Sequence, residues 1–137
     1  MTEKKNGIIH KYHDITNIKS CYNYFIFNNK QEEEHKSYYQ NGNLKEIYNY
    51  KNNKREGEYK EYYDNGQLKT LCNYKNDKLD GECKLYYKNG QLYRIVNYKN
   101  GKAEGEYKQY YTDGQLSYEC NYKDGRIEGG LKIYDRM

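Results

Sequence analysis

Apolar and polar residues alternate with a period of two along the middle of the chain. This period places successive side chains on opposite faces of a β-strand. The predicted inner face collects Tyr59, Tyr63, Leu68, Cys72, Tyr74, Leu79, Cys83, Leu85 and Tyr87. The predicted outer face is polar, with Leu71 as its exception, and collects Glu58, Lys60, Tyr62, Lys69, Asn73, Lys75, Lys78, Asp80, Glu82 and Lys84. This division is typical of an antiparallel sheet with one covered face.

Two kinds of turn signal separate the strands. The first kind is Asn-Gly or Asp-Gly at 41–42, 65–66, 89–90 and 113–114, and the second lies at 52–53, 76–77, 100–101 and 124–125. Both favour two-residue type I′ turns, whose central residues need positive φ. Such loops predict six opposed pairs: Tyr63 with Leu68, Glu61 with Thr70, Tyr59 with Cys72, Gly57 with Tyr74, Tyr74 with Leu79, and Cys72 with Gly81.

The whole pattern repeats every 24 residues. The step is kept by Gly42, Gly66, Gly90 and Gly114, by Gly57, Gly81, Gly105 and Gly129, and by the Tyr pairs at 38–39, 62–63, 86–87 and 110–111. A fixed period in this range indicates a repeat array. We therefore predict an all-β fold, an elongated antiparallel β-meander of about eight to ten strands built from stacked 24-residue hairpin repeats. The second glycine series is expected to make room for a facing Tyr ring or to let the sheet bend.

The two ends of the chain depart from the repeat. We predict an irregular capping segment over residues 1–27 and the repeat array over residues 28–137. Glu33 stands where the later repeats have glycine, and a buried carboxylate is costly unless it is paired. The strand carrying Glu33 is therefore expected to lie at the edge of the regular core or to be shifted by a bulge. At the other end, the free edge of the last strand is expected to be guarded by little more than Lys132, Asp135 and Arg136.

The recurring pattern G-E-x-K-x-Y-Y-x-N-G-x-L, followed by Y-K-N-x-K and a second glycine, resembles the MORN-variant repeat over about residues 28–134. The resemblance implies β-hairpins that stack into an elongated sheet. It also implies relatives among antitoxin-like bacterial proteins and MORN-repeat proteins of large DNA viruses. The family shares no catalytic residues that could be transferred to this chain.

Composition favours a folded chain with a thin, Tyr-rich interior. The 137 residues include 21 Tyr but no Trp and no Pro, and an aromatic content of 17% argues against disorder. The formal charge of +4 comes from interspersed charges of both signs, so nucleic acid and anionic lipid receive little support as partners. With no apolar leader or membrane-length run, we expect a cytoplasmic protein, in a host cytoplasm if the gene is viral.

The sequence gives little support for a metal, a cofactor or an active site, and we predict none of them. The cysteines Cys21, Cys72, Cys83 and Cys120 form no C-x-x-C pair, and a disulfide framework is not expected in a reducing compartment. Proximity of Cys72 to Cys83 stays open. His10, His13 and His35 are each expected to be surface residues. Lysine pairing is favoured over metal binding for the acidic row Glu56, Asp80, Glu104 and Glu128.

The outer face carries the candidate binding residues. A tyrosine row runs beside a lysine row, and the candidates are Tyr62, Tyr86, Tyr110, Tyr134, Lys60, Lys84 and Lys108. Packing within the sheet and binding of a protein both explain such rows. We expect a non-enzymatic protein–protein interaction scaffold or assembly module. The alternatives are an antitoxin-like protein that neutralises a partner and a lipid- or membrane-associated module. Free sheet edges would also allow homo-oligomers.

Overall fold

The computed structural model describes residues 9–15, 18–27 and 30–137, with side chains from residue 32 onward. These residues contain no helix and form thirteen strands of one sheet. The strands are β1 Ile9–Ile15, β2 Ile18–Phe27, β3 Lys30–Tyr38, β4 Leu44–Lys51, β5 Lys54–Arg55, β6 Gly57–Tyr62, β7 Leu68–Lys75, β8 Lys78–Leu79, β9 Gly81–Tyr86, β10 Leu92–Lys99, β11 Lys102–Tyr110, β12 Leu116–Lys123 and β13 Arg126–Ile133.

Neighbours in the sheet are neighbours in the chain, which confirms the predicted antiparallel meander. The main path runs β1-β2-β3-β4-β6-β7-β9-β10-β11-β12-β13, while β5 pairs with β4 and β8 pairs with β7. Two of the eleven strands on this path, β1 and β2, come from the first 27 residues. The division into a cap over 1–27 and an array over 28–137 stays a prediction.

The bulge predicted for the strand carrying Glu33 is not observed. β3 pairs with β2 on one side and with β4 on the other, and the register is continuous through Glu33 on both sides. It is therefore an interior strand without a bulge at this position. The Glu33 side chain is only half-buried, so its carboxylate keeps access to water and no rearrangement of the strand is needed.

The narrow turns, defined as the turns at 52–53, 76–77, 100–101 and 124–125, have the predicted type I′ geometry. Both central residues have positive φ, for example 48° at Asn76 and 70° at Asp77. Tyr74 lies opposite Leu79, as a two-residue loop requires. Asn, Asp and Gly tolerate this left-handed region better than other residues, which explains the composition of these turns.

The wide turns, defined as the turns around Gly42, Gly66, Gly90 and Gly114, differ from the prediction. Gly66 has φ of 86°, but Asn65 is not among the residues with positive φ. The Tyr63 amide donates to the Gln67 carbonyl (2.8 Å), which leaves a three-residue loop, Asp64-Asn65-Gly66. Asn65 suits this loop because its Oδ1 accepts the Gln67 amide proton at 3.0 Å.

The wide turn changes the pairing only locally. Tyr62, rather than Tyr63, lies opposite Leu68. A register shift at the next pair then compensates for the odd loop length. The remaining predictions are confirmed: Glu61 opposite Thr70, Tyr59 opposite Cys72 and Gly57 opposite Tyr74.

A second irregularity follows each narrow turn, at the second glycine series. Gly81 has φ of 95°, and the register across this point moves from Tyr74 opposite Leu79 to Thr70 opposite Leu85. The predicted pairing of Cys72 with Gly81 is therefore wrong, because two extra residues place Cys83 there. Gly81 does lie opposite a tyrosine, Tyr98. A Cβ on Gly81 would meet nothing within 4 Å, so its backbone conformation, rather than space for a ring, calls for glycine.

The core is thin and lies on the predicted inner face. Its buried hydrophobic members are Cys72, Cys83, Val96, Tyr107 and Cys120. Partly buried residues pack against it: Leu79, Leu85, Tyr98, Ala103, Tyr118 and Tyr122. Burial of so few side chains contributes modestly to stability, so the contacts between neighbouring repeats carry much of the remainder.

A hydrogen bond links each wide turn to the next repeat. The hydroxyl of the second tyrosine in each Tyr pair donates to the backbone carbonyl of a tyrosine 23 residues later. The four bonds are Tyr39 to Tyr62 (2.7 Å), Tyr63 to Tyr86 (2.8 Å), Tyr87 to Tyr110 (2.8 Å) and Tyr111 to Tyr134 (3.0 Å). We call these second tyrosines the linking tyrosines, because each one fixes a turn against its neighbour.

Asparagine side chains reinforce the same links. The Nδ2 groups of Asn41, Asn65 and Asn89 donate to backbone carbonyls of Asp64, Lys88 and Thr112, respectively, in the following turn. At the other ends of the strands, backbone amides of the narrow turns donate to carbonyls of the preceding repeat. The Gly101 amide, for example, donates to the Leu79 carbonyl at 2.8 Å. The row of wide turns and the row of narrow turns are therefore both hydrogen-bonded from repeat to repeat.

The linking tyrosines allow a matched test on adjacent residues. Replacing Tyr87 with Phe removes one inter-repeat hydrogen bond but keeps the ring, and it should lower the free energy of unfolding by about 1 kcal/mol. Replacing Tyr86 with Phe should leave stability unchanged, because its hydroxyl has no hydrogen-bond partner among the described residues. Urea unfolding followed by circular dichroism measures both. Equal stability of the two variants would contradict the linking role.

Candidate protein-interaction surface

The first tyrosines of the Tyr pairs form a row that recurs once per repeat. Tyr62, Tyr86 and Tyr110 end strands β6, β9 and β11, and each is half-buried. Tyr134 follows β13 and is 37% exposed. Successive members lie two strands apart, or about 10 Å at the usual strand spacing. We call Tyr62, Tyr86 and Tyr110 the row tyrosines.

The row tyrosines lie opposite leucines of the neighbouring strand, namely Leu68, Leu92 and Leu116, respectively. Among the described residues, their hydroxyls make no hydrogen bond, and their rings take part in none of the aromatic or cation–π contacts found there. The linking tyrosines differ, since each donates to a carbonyl and Tyr87 also lies 4.9 Å from the ring of Tyr93. Each Tyr pair thus contains a linking residue and a residue whose side chain makes neither a hydrogen bond nor a ring contact within the described part of the chain. Tyr134 is an exception, because its hydroxyl donates to Glu119 Oε1 at 2.7 Å.

The lysine row is neutralised by glutamates two residues earlier on the same strand. The Nζ to Oε1 distances are 2.6 Å for Lys60–Glu58, 2.7 Å for Lys84–Glu82 and 2.7 Å for Lys108–Glu106. Hydrogen bonding to the glutamate raises the pKa of each lysine. These exposed pairs add little stability. Their effect is to leave a stripe without excess charge beside the tyrosine row.

Two members of the acidic row have a role that the sequence did not suggest. Glu56 Oε2 accepts the backbone amide of Asn76 at 2.8 Å, and Glu104 Oε2 accepts that of Asp124 at 2.9 Å. Each carboxylate therefore fixes the next narrow turn instead of pairing with a lysine. Glu56 also lines an open groove of about 420 Å³ with Lys51, Asn52, Lys54 and Asn76. An equivalent groove of about 260 Å³ lies two repeats later, at Lys99, Asn100, Lys102, Glu104 and Asp124.

A polar cluster around Glu46 lies on the inner face near the start of the array. Glu46 Oε1 lies 3.4 Å from His35 Nε2 and accepts the Ser37 hydroxyl at 3.2 Å, while Oε2 accepts the Tyr59 hydroxyl at 3.2 Å. Hydrogen bonding from His35, with smaller contributions from Tyr59 and Ser37, lowers the pKa of Glu46 despite its partial burial. Burial and the Glu46 charge raise the pKa of Tyr59.

The expectation of a surface His35 is wrong, since only 7% of the residue is exposed. Its ring lies 4.5 Å from that of Tyr48, and Glu46 supplies its charged partner. Sequence reasoning missed this because Glu46 comes from the neighbouring strand. The cluster does not have the geometry of a nucleophile activated by a base, because the Ser37 hydroxyl donates to Glu46 rather than to His35.

The structure joins Cys72 and Cys83 in a disulfide, which corrects the expectation that no disulfide forms. Their Cα atoms are 4.3 Å apart because the irregularity at Gly81 brings them directly opposite each other. Cys120 is a free, buried thiol, and burial raises its pKa. It is therefore a weak nucleophile. The predictions for His10, His13 and Cys21 concern side chains outside the described residues.

No helix among the described residues has the length and apolar composition of a membrane span. Over the same residues, no group of three or more His, Cys, Asp or Glu side chains is arranged to hold a metal ion.

Comparison with known proteins identifies the repeat. A family model described as the MORN repeat variant matches residues 34–52, 55–76, 79–100 and 103–124, which together make up more than half of the chain. The four matched segments follow one another along the sheet. No curated protein matches the chain.

The lowered pKa of Glu46 predicts how the stability of the fold depends on pH. The folded-state pKa of Glu46 lies below its ordinary value, so its stabilising effect is present above that ordinary value and is lost as pH falls through the folded pKa. Replacing Glu46 with Gln should lower the free energy of unfolding by roughly 1 to 3 kcal/mol at neutral pH. The variant should also lose less stability than the parent on acidification.

Denaturant titrations at a series of pH values measure this effect. The control is Glu82→Gln, which changes an exposed carboxylate and should leave the acid dependence almost as in the parent. Parallel curves for the parent and the Glu46 variant would contradict a stabilising charge at Glu46.

Proposed function

Because the chain belongs to the MORN repeat variant family, we propose that it is a non-enzymatic scaffold that binds another protein along the outer face of its sheet. The row tyrosines supply the anchoring contacts, and the lysine–glutamate stripes supply the polar surroundings. The repeat array holds the anchors at a constant spacing, which suits an extended partner surface.

One observation carries this proposal: among the described residues, the side chains of the row tyrosines make no hydrogen bond and no aromatic or cation–π contact. Each ring is partly exposed, and each hydroxyl has no hydrogen-bond partner among the described residues. Tyrosine is enriched among residues that dominate binding energy, because it offers a large amphipathic surface with few rotatable bonds. A partner that covered these rings would gain apolar contact and satisfy the hydroxyls.

The charge pattern favours a protein over a polyanion. Lys60, Lys84 and Lys108 each have a glutamate within 2.8 Å, so the stripe beside the row tyrosines presents paired charges. Nucleic acid or an anionic membrane would be attracted by unpaired cations, which this stripe does not supply. A protein partner can meet paired charges with its own polar rim. An antitoxin-like role would use the same contacts, with a toxic protein as the partner.

The proposal is tested by capture from the native cell and by changes to the row. The tagged chain should recover a stoichiometric protein, and the double variant Y86S/Y110S should weaken its binding at least about tenfold. The variant Y86F/Y110F keeps the rings and should lose less. Affinity is measured by calorimetry with the recovered protein, and circular dichroism confirms that each variant is folded.

The matched control is the double variant K75S/K99S, which changes two lysines that directly precede narrow turns. It should bind the recovered protein with the affinity of the parent. Equal affinity of Y86S/Y110S and the parent would overturn the assignment of the site. Failure to recover any stoichiometric partner, together with binding of the parent to anionic vesicles, would favour the lipid-associated alternative instead.

A further inference from the structure

Strand β13 has an unpartnered edge with unusual exposure of apolar side chains. It pairs with β12 on one side, and no strand of the described residues pairs with its other side. Among the described residues, the exposed large hydrophobic side chains all lie on β13 or just after it. They are Ile127 (51%), Leu131 (48%), Ile133 (72%), Tyr134 (37%) and Met137 (104%). An exposed apolar edge of this kind can pair with another strand.

The directions of the free backbone groups on β13 follow from two hydrogen bonds. The Tyr134 amide donates to the Ser117 carbonyl at 2.8 Å, so residue 134 points toward β12. The Ala103 carbonyl accepts the Gly125 amide of the next repeat at 2.9 Å, and Ile127 is the residue 24 positions after Ala103. Backbone groups alternate along a strand. Ile127, Gly129, Leu131 and Ile133 therefore direct their amides and carbonyls to the free edge.

We propose that this edge pairs with the same edge of a second copy of the chain, antiparallel and with the two-fold axis passing through Gly130. In this register Glu128 lies opposite Lys132 of the second copy, and Lys132 lies opposite its Glu128. Ile127 likewise lies opposite Ile133 in both directions. The two opposite-charge pairs and the two apolar pairs are all favourable cross-strand contacts.

Charge selects this register over its neighbours. A residue with free backbone groups must face another such residue, so the register can shift only in steps that keep this match. A shift in one direction places Arg126 opposite Arg136, and a further shift places Lys132 opposite itself. A shift in the other direction places Arg126 opposite Lys132. Like charges directly opposite each other are destabilising, and of these four registers only the one centred on Gly130 avoids them.

The proposed dimer also extends the inner face. Leu131 is the repeat equivalent of the buried Tyr107, and Ile127 is that of Ala103, which packs against the core. The exposed side chains of the two copies would meet on one face and continue the core across the axis. Because a two-fold contact uses the same edge on both copies, the assembly closes as a dimer and leaves no such edge for further growth.

Charge reversal tests the proposal on the full chain. Analytical ultracentrifugation across a concentration series should show the parent forming a species of twice the 16.7 kDa of one chain. The single variants E128K and K132E place like charges opposite each other, and each should lose the dimer. The double variant E128K/K132E should regain it. An equimolar mixture of the two single variants should also dimerise, because each then faces its complement.

The control is E119Q, because Lys132 Nζ also lies 3.6 Å from Glu119 Oε1 within the chain. This variant removes that pair, leaves the edge charges in place and should remain dimeric. A parent that stays at 16.7 kDa over the whole series would overturn the proposal. Single variants that still dimerise, or a double variant and mixture that both stay monomeric, would overturn it as well.

Discussion

The hydrogen bond from a tyrosine hydroxyl to the next repeat's backbone is the interaction on which the rest of this structure depends. The four bonds measure 2.7 to 3.0 Å and join residues 23 positions apart. The buried hydrophobic core has only five members among the described residues, so burial alone holds the repeats together weakly. The hydroxyl bonds fix each wide turn against the next and thereby set the spacing of everything the turns carry.

The two tyrosines of each pair have different roles in the structure. The linking residue commits its hydroxyl to a carbonyl of the neighbouring first tyrosine, as Tyr63 does to Tyr86. The first tyrosine contributes its backbone carbonyl to that bond, while its own hydroxyl has no hydrogen-bond partner among the described residues. One doublet thus builds the array and also leaves a tyrosine hydroxyl available. The neutral lysine–glutamate stripes leave the rings of the row tyrosines as the distinctive feature of the outer face.

The glycines of the second series adjust the sheet from repeat to repeat. At Gly81 two extra residues on one strand change which side chains meet, and Cys83 rather than Gly81 lies opposite Cys72. The positive φ of these residues, 95° at Gly81 and 78° at Gly129, allows this change without strain. The same device occurs at Gly129 in β13, next to Gly130, on which the proposed dimer contact is centred.

The sequence by itself determined the strands, their meander order, the two faces, the narrow type I′ turns and the family. These depend on period-two alternation and on turn residues read within a few positions. The tertiary structure decided the wide-turn loops, the opposition of Cys72 and Cys83, the burial of His35 and the partners of the tyrosine hydroxyls. The reason is physical: each of these depends on an extra strand residue or on a contact from a neighbouring strand or repeat. Local hydrophobic patterning does not encode either.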